Sequence, residues 1–291
     1  MSQEVRIGNK LVGAGHPAYI VAEIGINHNG DLGIAKDLMQ AAKHAGVDAV
    51  KFQKRTPELC VPPEQRNQMR ETPWGYITYL DYRYKVEFTE KEYDEIDRYA
   101  KEIGIDWFAS VWDEPAVDFL EKYNPIAYKV PSASLTDHSL LLHLRKTGRP
   151  LILSTGMSTF EQIKSAVKLI GEENLVITHA TSSYPCDPSE LNLSMIKTLK
   201  DTFNCPIGYS GHEVGLVTSA VAVGLGACMV ERHITLDRAL WGSDQAASVE
   251  PGGFERLVKY IRVTEMAIGD GVKKVYESEL PSLRKLRRIQ D

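Results

Sequence analysis

The sequence predicts an α/β protein, specifically a (β/α)8 TIM barrel, and three observations carry that expectation. Short runs rich in Val and Ile recur eight times along the 291 residues, each followed by a helical pattern. Apart from one long gap after the second run, their starts fall 21 to 31 residues apart, which suits one strand-helix unit. No G-x-G-x-x-G follows the first run, which weighs against an open nucleotide-binding sheet. Alternating strands and helices imply a parallel sheet, and eight such units in a chain of this length favour closure.

The strands are read as 18–26 (AYIVAEIGI), 49–54 (AVKFQK), 106–112 (DWFASVW) and 127–132 (AYKVPS). The second half supplies 150–156 (PLILSTG), 175–182 (LVITHATS), 206–212 (PIGYSGH) and 228–234 (CMVERHI). Helix starts are marked by capping-box spacings, Thr89 with Glu92 and Ser158 with Glu161, the second helix stopping at Gly171. Residues 18–270 are therefore the barrel. Ahead of it, residues 1–17 hold RIGNKLVGAG, which alternates around Asn9-Lys10 as a small hairpin plugging the N-terminal face. Residues 55–88 are a long loop after the second barrel strand. Its Trp74, Tyr76, Tyr79, Tyr82 and Tyr84 argue for an ordered flap over the barrel mouth. Residues 271–291 form a basic tail ending LRKLRRIQD, read as a solvated or partner-packed helix.

Composition narrows the class. A hydrophobic content of 43% and a charged content of 25% are those of a soluble globular protein. A net charge of −5 argues against nucleic acid as a partner. No apolar run approaches the roughly 20 residues a membrane span needs. The polar start MSQEVRIGNK lacks the apolar core of a signal peptide. Cys60, Cys186, Cys205 and Cys228 show no C-x-x-C pairing and read as reduced thiols of a cytoplasmic protein.

Polar residues gather near the C-terminal ends of the strands at a spacing of two, the period that returns side chains to one face. Glu23 and Asn27 share parity on the first strand, and Lys51 and Gln53 on the second. Ser110, Lys129 and Ser154 follow on the next three, with Ser132 just beyond Lys129. His179 with Thr181, Ser210 with His212, and Glu231 with His233 complete the set. Barrel active sites are assembled from this rim. Burying Glu23 in a strand costs several kcal/mol unless something pairs with it. His212 and His233 lie on adjacent strands, within reach of one divalent cation. His179, His16, His44, His138 and His143 take a structural reading, and His28 is left open. Lys51 and Lys129 need anionic company. Either Glu23 and Glu231 supply it in a structural network, or the lysines meet an anionic substrate. The hydroxyls of Ser110, Ser132, Ser154 and Ser210 favour a substrate carrying phosphate and carboxylate.

The motifs AEIGINHNG, AVKFQ, AYKVPS, LILSTGM, IGYSGH and VERHITLDR occur in that order across about residues 5 to 280. Together they resemble the N-acetylneuraminate (sialic acid) synthases and their relatives that make other nonulosonic acids. The resemblance implies a barrel that condenses phosphoenolpyruvate with an amino-sugar aldehyde, N-acetylmannosamine or a related deoxysugar, using manganese or magnesium. It makes His212 and His233 the metal ligands. Lys51, Lys129, Ser132, Ser154 and Ser210 match positions that hold phosphoenolpyruvate, with Ser110 alongside. Glu23, Gln53, Tyr184 and Asp244 match positions near the sugar, and Ser182 stands where an asparagine is expected. Glu231 matches an acidic position beside the metal-binding histidine. Glu23, Glu231 and Lys129 are the catalytic candidates, with the acid and base roles of the two carboxylates unassigned.

Three departures bear on specificity. Ser110 is followed by Val111 and Trp112 instead of Thr-Pro, which removes one hydroxyl from the phosphate contacts. Ser182 alters the sugar side. Many members also carry a C-terminal antifreeze-like domain that lends an arginine to the neighbouring subunit. This sequence stops where that domain would join, so the lid is expected to be absent, supplied by a separate domain or partner chain, or replaced by residues 55–88. The resemblance also implies a homodimer. The competing readings are the same chemistry on another aldose (octulosonate- or heptulosonate-type), a metal-dependent sugar aldolase or isomerase, and a non-catalytic partner. A phosphorylated acceptor requires an additional basic pocket that the sequence does not identify.

Overall fold

The computed structural model describes residues 4–289. Two strands, β1 (Val5–Ile7) and β2 (Lys10–Val12), form an antiparallel hairpin. The next two, β3 (Tyr19–Gly25) and β4 (Ala49–Lys54), are parallel neighbours. Then β5 (Met69–Thr72) and β6 (Gly75–Thr78) make a second antiparallel hairpin within the long loop. The chain continues through β7 (Asp106–Val111), β8 (Tyr128–Val130), β9 (Leu151–Ser154), β10 (Leu175–Ala180), β11 (Ile207–Gly211) and β12 (Met229–His233). Strands β3, β4 and β7 to β12 close into an eight-stranded parallel barrel. The seam is β12 against β3, with Met229 opposite Tyr19 and His233 opposite Glu23.

The strands bury both faces, which is why they read as nearly continuous apolar runs. Outward residues such as Ile20, Ala22 and Ile24 share one core with Leu38 and Met39 of the helix Leu32–Ala45. Inward residues Tyr19, Val21, Phe108, Ile152 and Met229 form another, completed by Val5, Ile7 and Val12 of the hairpin. Each such side chain, fully buried, contributes roughly 1.5–3 kcal/mol. The N-terminal end of the barrel is thus filled by apolar side chains.

Two local expectations shift by one residue. The hairpin turns at Gly8-Asn9, because Ile7 pairs with Lys10. Gly8 has φ +55°, and a Cβ there would meet Asp106 Oδ2 at 2.6 Å, so only glycine fits. The helix Phe160–Ile170 is capped by Thr159 with Gln162, not by Ser158 with Glu161. Ser158 turns back to donate to the Gly156 carbonyl at 3.2 Å. The Thr89–Glu92 box opens the helix Glu90–Ile103 as expected.

Residues 55–88 contain the short helix Pro57–Cys60, the β5–β6 hairpin and the helix Tyr79–Val86. Aromatic contacts tie this insertion to the loop after β12. Tyr82 lies 5.3 Å and Trp74 6.2 Å from Trp241, ring centre to ring centre. Ile26, in the loop after β3, packs with Tyr82 and Val86. The helix Leu280–Leu286 in the tail buries no residue. The four cysteines are free thiols, and no helix among the described residues is long and apolar enough to cross a membrane.

Candidate active site

Because β-strand side chains alternate, the rows that carry Val21, Ala49, Phe108, Ala127 and Met229 inside the barrel carry Glu23, Lys51, Ser110, Lys129 and Glu231 two residues later. There the interior opens into a cavity of about 190 Å³. Glu23, Lys51, Gln53, Ser110, Lys129, Ser132, Ser154, Ser182, Tyr184, Ser210, His212, Glu231 and His233 all line it. Asp244 does not line it but stands behind, its Oδ2 3.7 Å from His233 Nδ1. A larger recess of about 560 Å³ at the opposite end, beside Pro17 and Cys228, lacks this convergence of lysines and histidines.

The carboxylates answer the lysines directly. Lys129 Nζ donates to both Glu231 oxygens at 3.0 Å. Lys51 Nζ lies 2.8 Å from Glu23 Oε2 and 3.7 Å from Glu231 Oε1, and also donates to the Ser110 hydroxyl. Ser210 donates to Glu231 Oε1 at 3.1 Å. All four charged groups are buried, and two ammoniums against two carboxylates make the network neutral when every group is ionised. The two carboxylates differ. Burial pushes Glu231 up, but Lys129 and Lys51 outweigh it and hold the group at about 2. Burial and the neighbouring Glu231 charge raise Glu23 to about 7 against the pull of Lys51.

Gly25, at φ +56°, permits this crowding. A Cβ there would meet Gln53 Nε2 and Glu23 Oε1 at 3.2 Å and His233 at 3.4 Å. The pairing register also slips between Glu23 and Gly25. That slip removes Asn27 from the face it was expected to share with Glu23. Its Nδ2 instead donates to the Ile234 carbonyl and to Ser248 Oγ, both at 2.8 Å, bracing the loop after β12.

His212 and His233 face each other with ring centres 5.5 Å apart. His212 Nδ1 donates to the Thr181 carbonyl at 2.7 Å, which leaves the Nε2 lone pair facing the Tyr184 hydroxyl at 3.1 Å. Burial and the nearby His233 push His212 down to about 4, and burial lowers His233, so both rings are neutral, as metal ligation requires. His233 Nδ1 is buried without a hydrogen-bond partner. This orphaned nitrogen and the fixed His212 tautomer fit a divalent cation. Among the described residues no group of three His, Cys, Asp or Glu side chains converges on one point. A cation here would keep positions open for water and substrate oxygens.

His179 and His28 have other partners. His179 points outward and its Nε2 bonds the Leu191 carbonyl at 2.7 Å. His28 stacks on Phe88 at 4.0 Å and accepts from the Gly30 amide at 3.0 Å. Sequence reasoning missed Met157 as a lining residue, and cited Trp112 only as a departure, although it lines the cavity wall. It also passed over Arg55, which is buried behind Gln53 directly after the AVKFQK strand.

Fold and site together define a (β/α)8 barrel with a small polar cavity, rich in cationic and imidazole side chains, at its C-terminal mouth. The chain belongs to the NeuB family, whose pattern matches residues 38–273. It is 40% identical to human N-acetylneuraminate-9-phosphate synthase over 95% of this chain and 78% of that one. It is 35% identical to the N,N'-diacetyllegionaminic acid synthase of Legionella pneumophila, over 97% of this chain and 82% of that one. The crystal structure of the N-acetylneuraminic acid synthetase of Leptospira borgpetersenii, in complex with citrate, superposes with a TM-score of 0.87. That pair is 31% identical and the match covers 99% of each chain. A truncated heptulosonate-phosphate synthase of Thermotoga maritima, TM-score 0.72 at 14% identity, shares the fold.

Proposed function

We propose that this chain condenses phosphoenolpyruvate with an amino-sugar or related aldose, giving a nonulosonic, sialic-type acid and phosphate. The observation that carries the reading is the meeting of Lys51, Lys129, His212 and His233 in one cavity. Relatives named as sialic and legionaminic acid synthases support it. An aldolase or isomerase would have no need of two buried lysines beside a ring of serines.

In this reading Lys51 and Lys129 hold the phosphate and carboxylate of phosphoenolpyruvate, assisted by Ser110, Ser132, Ser154 and Ser210. The contribution is electrostatic and positional. Ser132 has a second duty, since its hydroxyl accepts from the Gly156 amide at 3.0 Å and fixes the turn after β9. A divalent cation, manganese or magnesium, on His212 and His233 would supply Lewis acidity at the aldehyde oxygen. Gln53, Ser182 and Tyr184 are read as the acceptor side, with Asp244 behind His233. As C3 of phosphoenolpyruvate bonds to the aldehyde carbon, water adds at C2 and the tetrahedral product loses phosphate.

The contrast between the carboxylates supports a division of roles. Lys129 and Lys51 favour the charged form of Glu231. Burial raises Glu23 against the pull of Lys51, which makes it the carboxylate suited to exchange a proton with the aldehyde oxygen or the entering water. Protonated Glu23 also leaves the network with one net positive charge, which favours an anionic substrate.

An assay of phosphoenolpyruvate consumption with manganese across a panel of aldoses tests the reading. His212→Ala and His233→Ala are each expected to reduce turnover at least about 100-fold. Undiminished phosphate release by either variant would refute the metal role. The finer expectations of manganese as the native ion, a homodimer and a cytoplasmic setting call for metal analysis, sedimentation and cell fractionation.

A further inference from the structure

The ladder between β11 and β12 ends at Gly211 opposite Arg232, so His212 stands one residue beyond the last paired position. Its own carbonyl accepts from the Cys186 amide at 3.0 Å, on the side away from β12. Main-chain pairing with the strand that carries His233 therefore stops short of His212. What continues past the ladder is an ion pair between the residues next to the two histidines. Arg232 Nη1 lies 3.0 Å from Glu213 Oε1, and both side chains are fully buried. Arg232 Nη2 also donates to the Glu213 main-chain carbonyl. The same guanidinium donates to the Gly215 carbonyl at 2.8 Å and to Ser219 Oγ at 3.0 Å, reaching the helix Val217–Gly224. Glu213 in turn accepts from the Tyr209 hydroxyl at 2.8 Å and from the Thr218 hydroxyl. Gly211 makes room for this contact, since a Cβ there would meet Glu213 Oε2 at 2.6 Å and Arg232 Cδ at 3.0 Å. Neither charged side chain is among those lining the cavity.

We propose that Glu213 and Arg232 are positioning residues that set the separation of His212 and His233 for a divalent cation. The inference rests on the metal role proposed above. Each histidine is one peptide bond from a member of the pair, so the route between the imidazoles runs from His212 to Glu213, across the ion pair, and from Arg232 to His233. A shift of either strand end would have to stretch that contact and the hydrogen bonds around it. Stability alone gives a weak reason for the pair. Neutral residues of similar volume in place of a buried ion pair often cost nothing. Arg232 Nε is also buried without a hydrogen-bond partner, a penalty that comes with burying the guanidinium. Partners standing behind a metal ligand typically govern metal affinity by about 10- to 100-fold.

The test is calorimetric titration of the full chain with manganese chloride, beside urea unfolding of the same samples. Glu213→Gln combined with Arg232→Met removes both charges and should leave the unfolding midpoint close to that of the unaltered chain. Manganese should nevertheless bind at least about tenfold more weakly. Tyr209→Phe takes only one donor from Glu213 and should weaken manganese at least about threefold. It carries the test if the double variant does not fold. Arg149→Met is the control. It breaks the Arg149–Glu121 pair, 2.7 Å apart just ahead of β9 at the opposite end of the barrel, and should leave manganese affinity unchanged. Unchanged affinity in the folded double variant, or in Tyr209→Phe in its place, would overturn the positioning role while leaving the metal role standing. An equal loss in Arg149→Met would also overturn it, because affinity would then follow stability and not the pair. An unaltered chain that binds no manganese would overturn the metal role and the positioning role together.

Discussion

At the N-terminal end of the barrel the inward positions are Tyr19, Val21, Phe108 and Met229, closed from below by Val5, Ile7 and Val12. Two residues further along the same strands they are Glu23, Ser110 and Glu231, with Lys51 and Lys129 between. Backbone geometry is shared, so the difference lies in what each layer must satisfy. The lower layer needs only shape and apolar area. The upper layer buries four charges, tolerable because each ammonium meets a carboxylate within 3.0 Å. Stability and chemistry are thereby separated along one set of strands, and substitutions at the two ends should behave differently.

The largest effect is expected at the top. Lys129→Met leaves Glu231 buried without its main partner and should cost about 3–5 kcal/mol in urea unfolding. On the proposed role of Lys129 in holding phosphoenolpyruvate, turnover should fall about 100- to 1,000-fold. Adding Glu231→Gln should restore much of the stability and none of the activity. Recovery of both would erase the distinction between the two ends. At the bottom, Phe108→Ala should cost about 3–5 kcal/mol with turnover per folded molecule unchanged. A turnover defect there would show that the lower layer also tunes the site.

A smaller effect follows from His28, which lies outside both layers. Burial pushes its pKa down to about 3, below the ordinary value of 6.5. Between those values the unfolded chain binds the extra proton, so stability falls as pH is lowered through that window. The slope from this residue is at most about 1.4 kcal/mol per pH unit. Asn keeps a side-chain acceptor for the Gly30 amide, so His28→Asn should flatten the acid side of the profile measured by urea unfolding between about pH 7 and about pH 5. An unchanged slope would count against a buried neutral imidazole. The smallest effect is at the helix cap. Asp31 Oδ1 accepts from the Gly33 and Ile34 amides at 2.7 and 3.1 Å, and Asp31→Ala should cost about 1 kcal/mol without altering activity.

Much of this arrangement is written in local sequence. Strand periodicity placed Glu23, Lys51, Lys129, Glu231, His212 and His233 on inward faces, because a two-residue period is a property of the extended backbone itself. Asp244, expected near the sugar, stands behind His233 at 3.7 Å, since it comes from the loop after β12 and loop paths are not periodic. Asn27 failed for a related reason, as the register slip at Gly25 breaks the period before it arrives.

By itself, then, the sequence determined the barrel, the polar rim and the residues composing it, because alternation and helix caps are short-range rules. Which lysine meets which carboxylate, the opposite protonation tendencies of Glu23 and Glu231, and the stacking of Arg55 on Trp112 were decided only by tertiary structure. Those properties depend on distance and burial between segments far apart in the chain, and electrostatic energy is set by that spatial separation and not by sequence order.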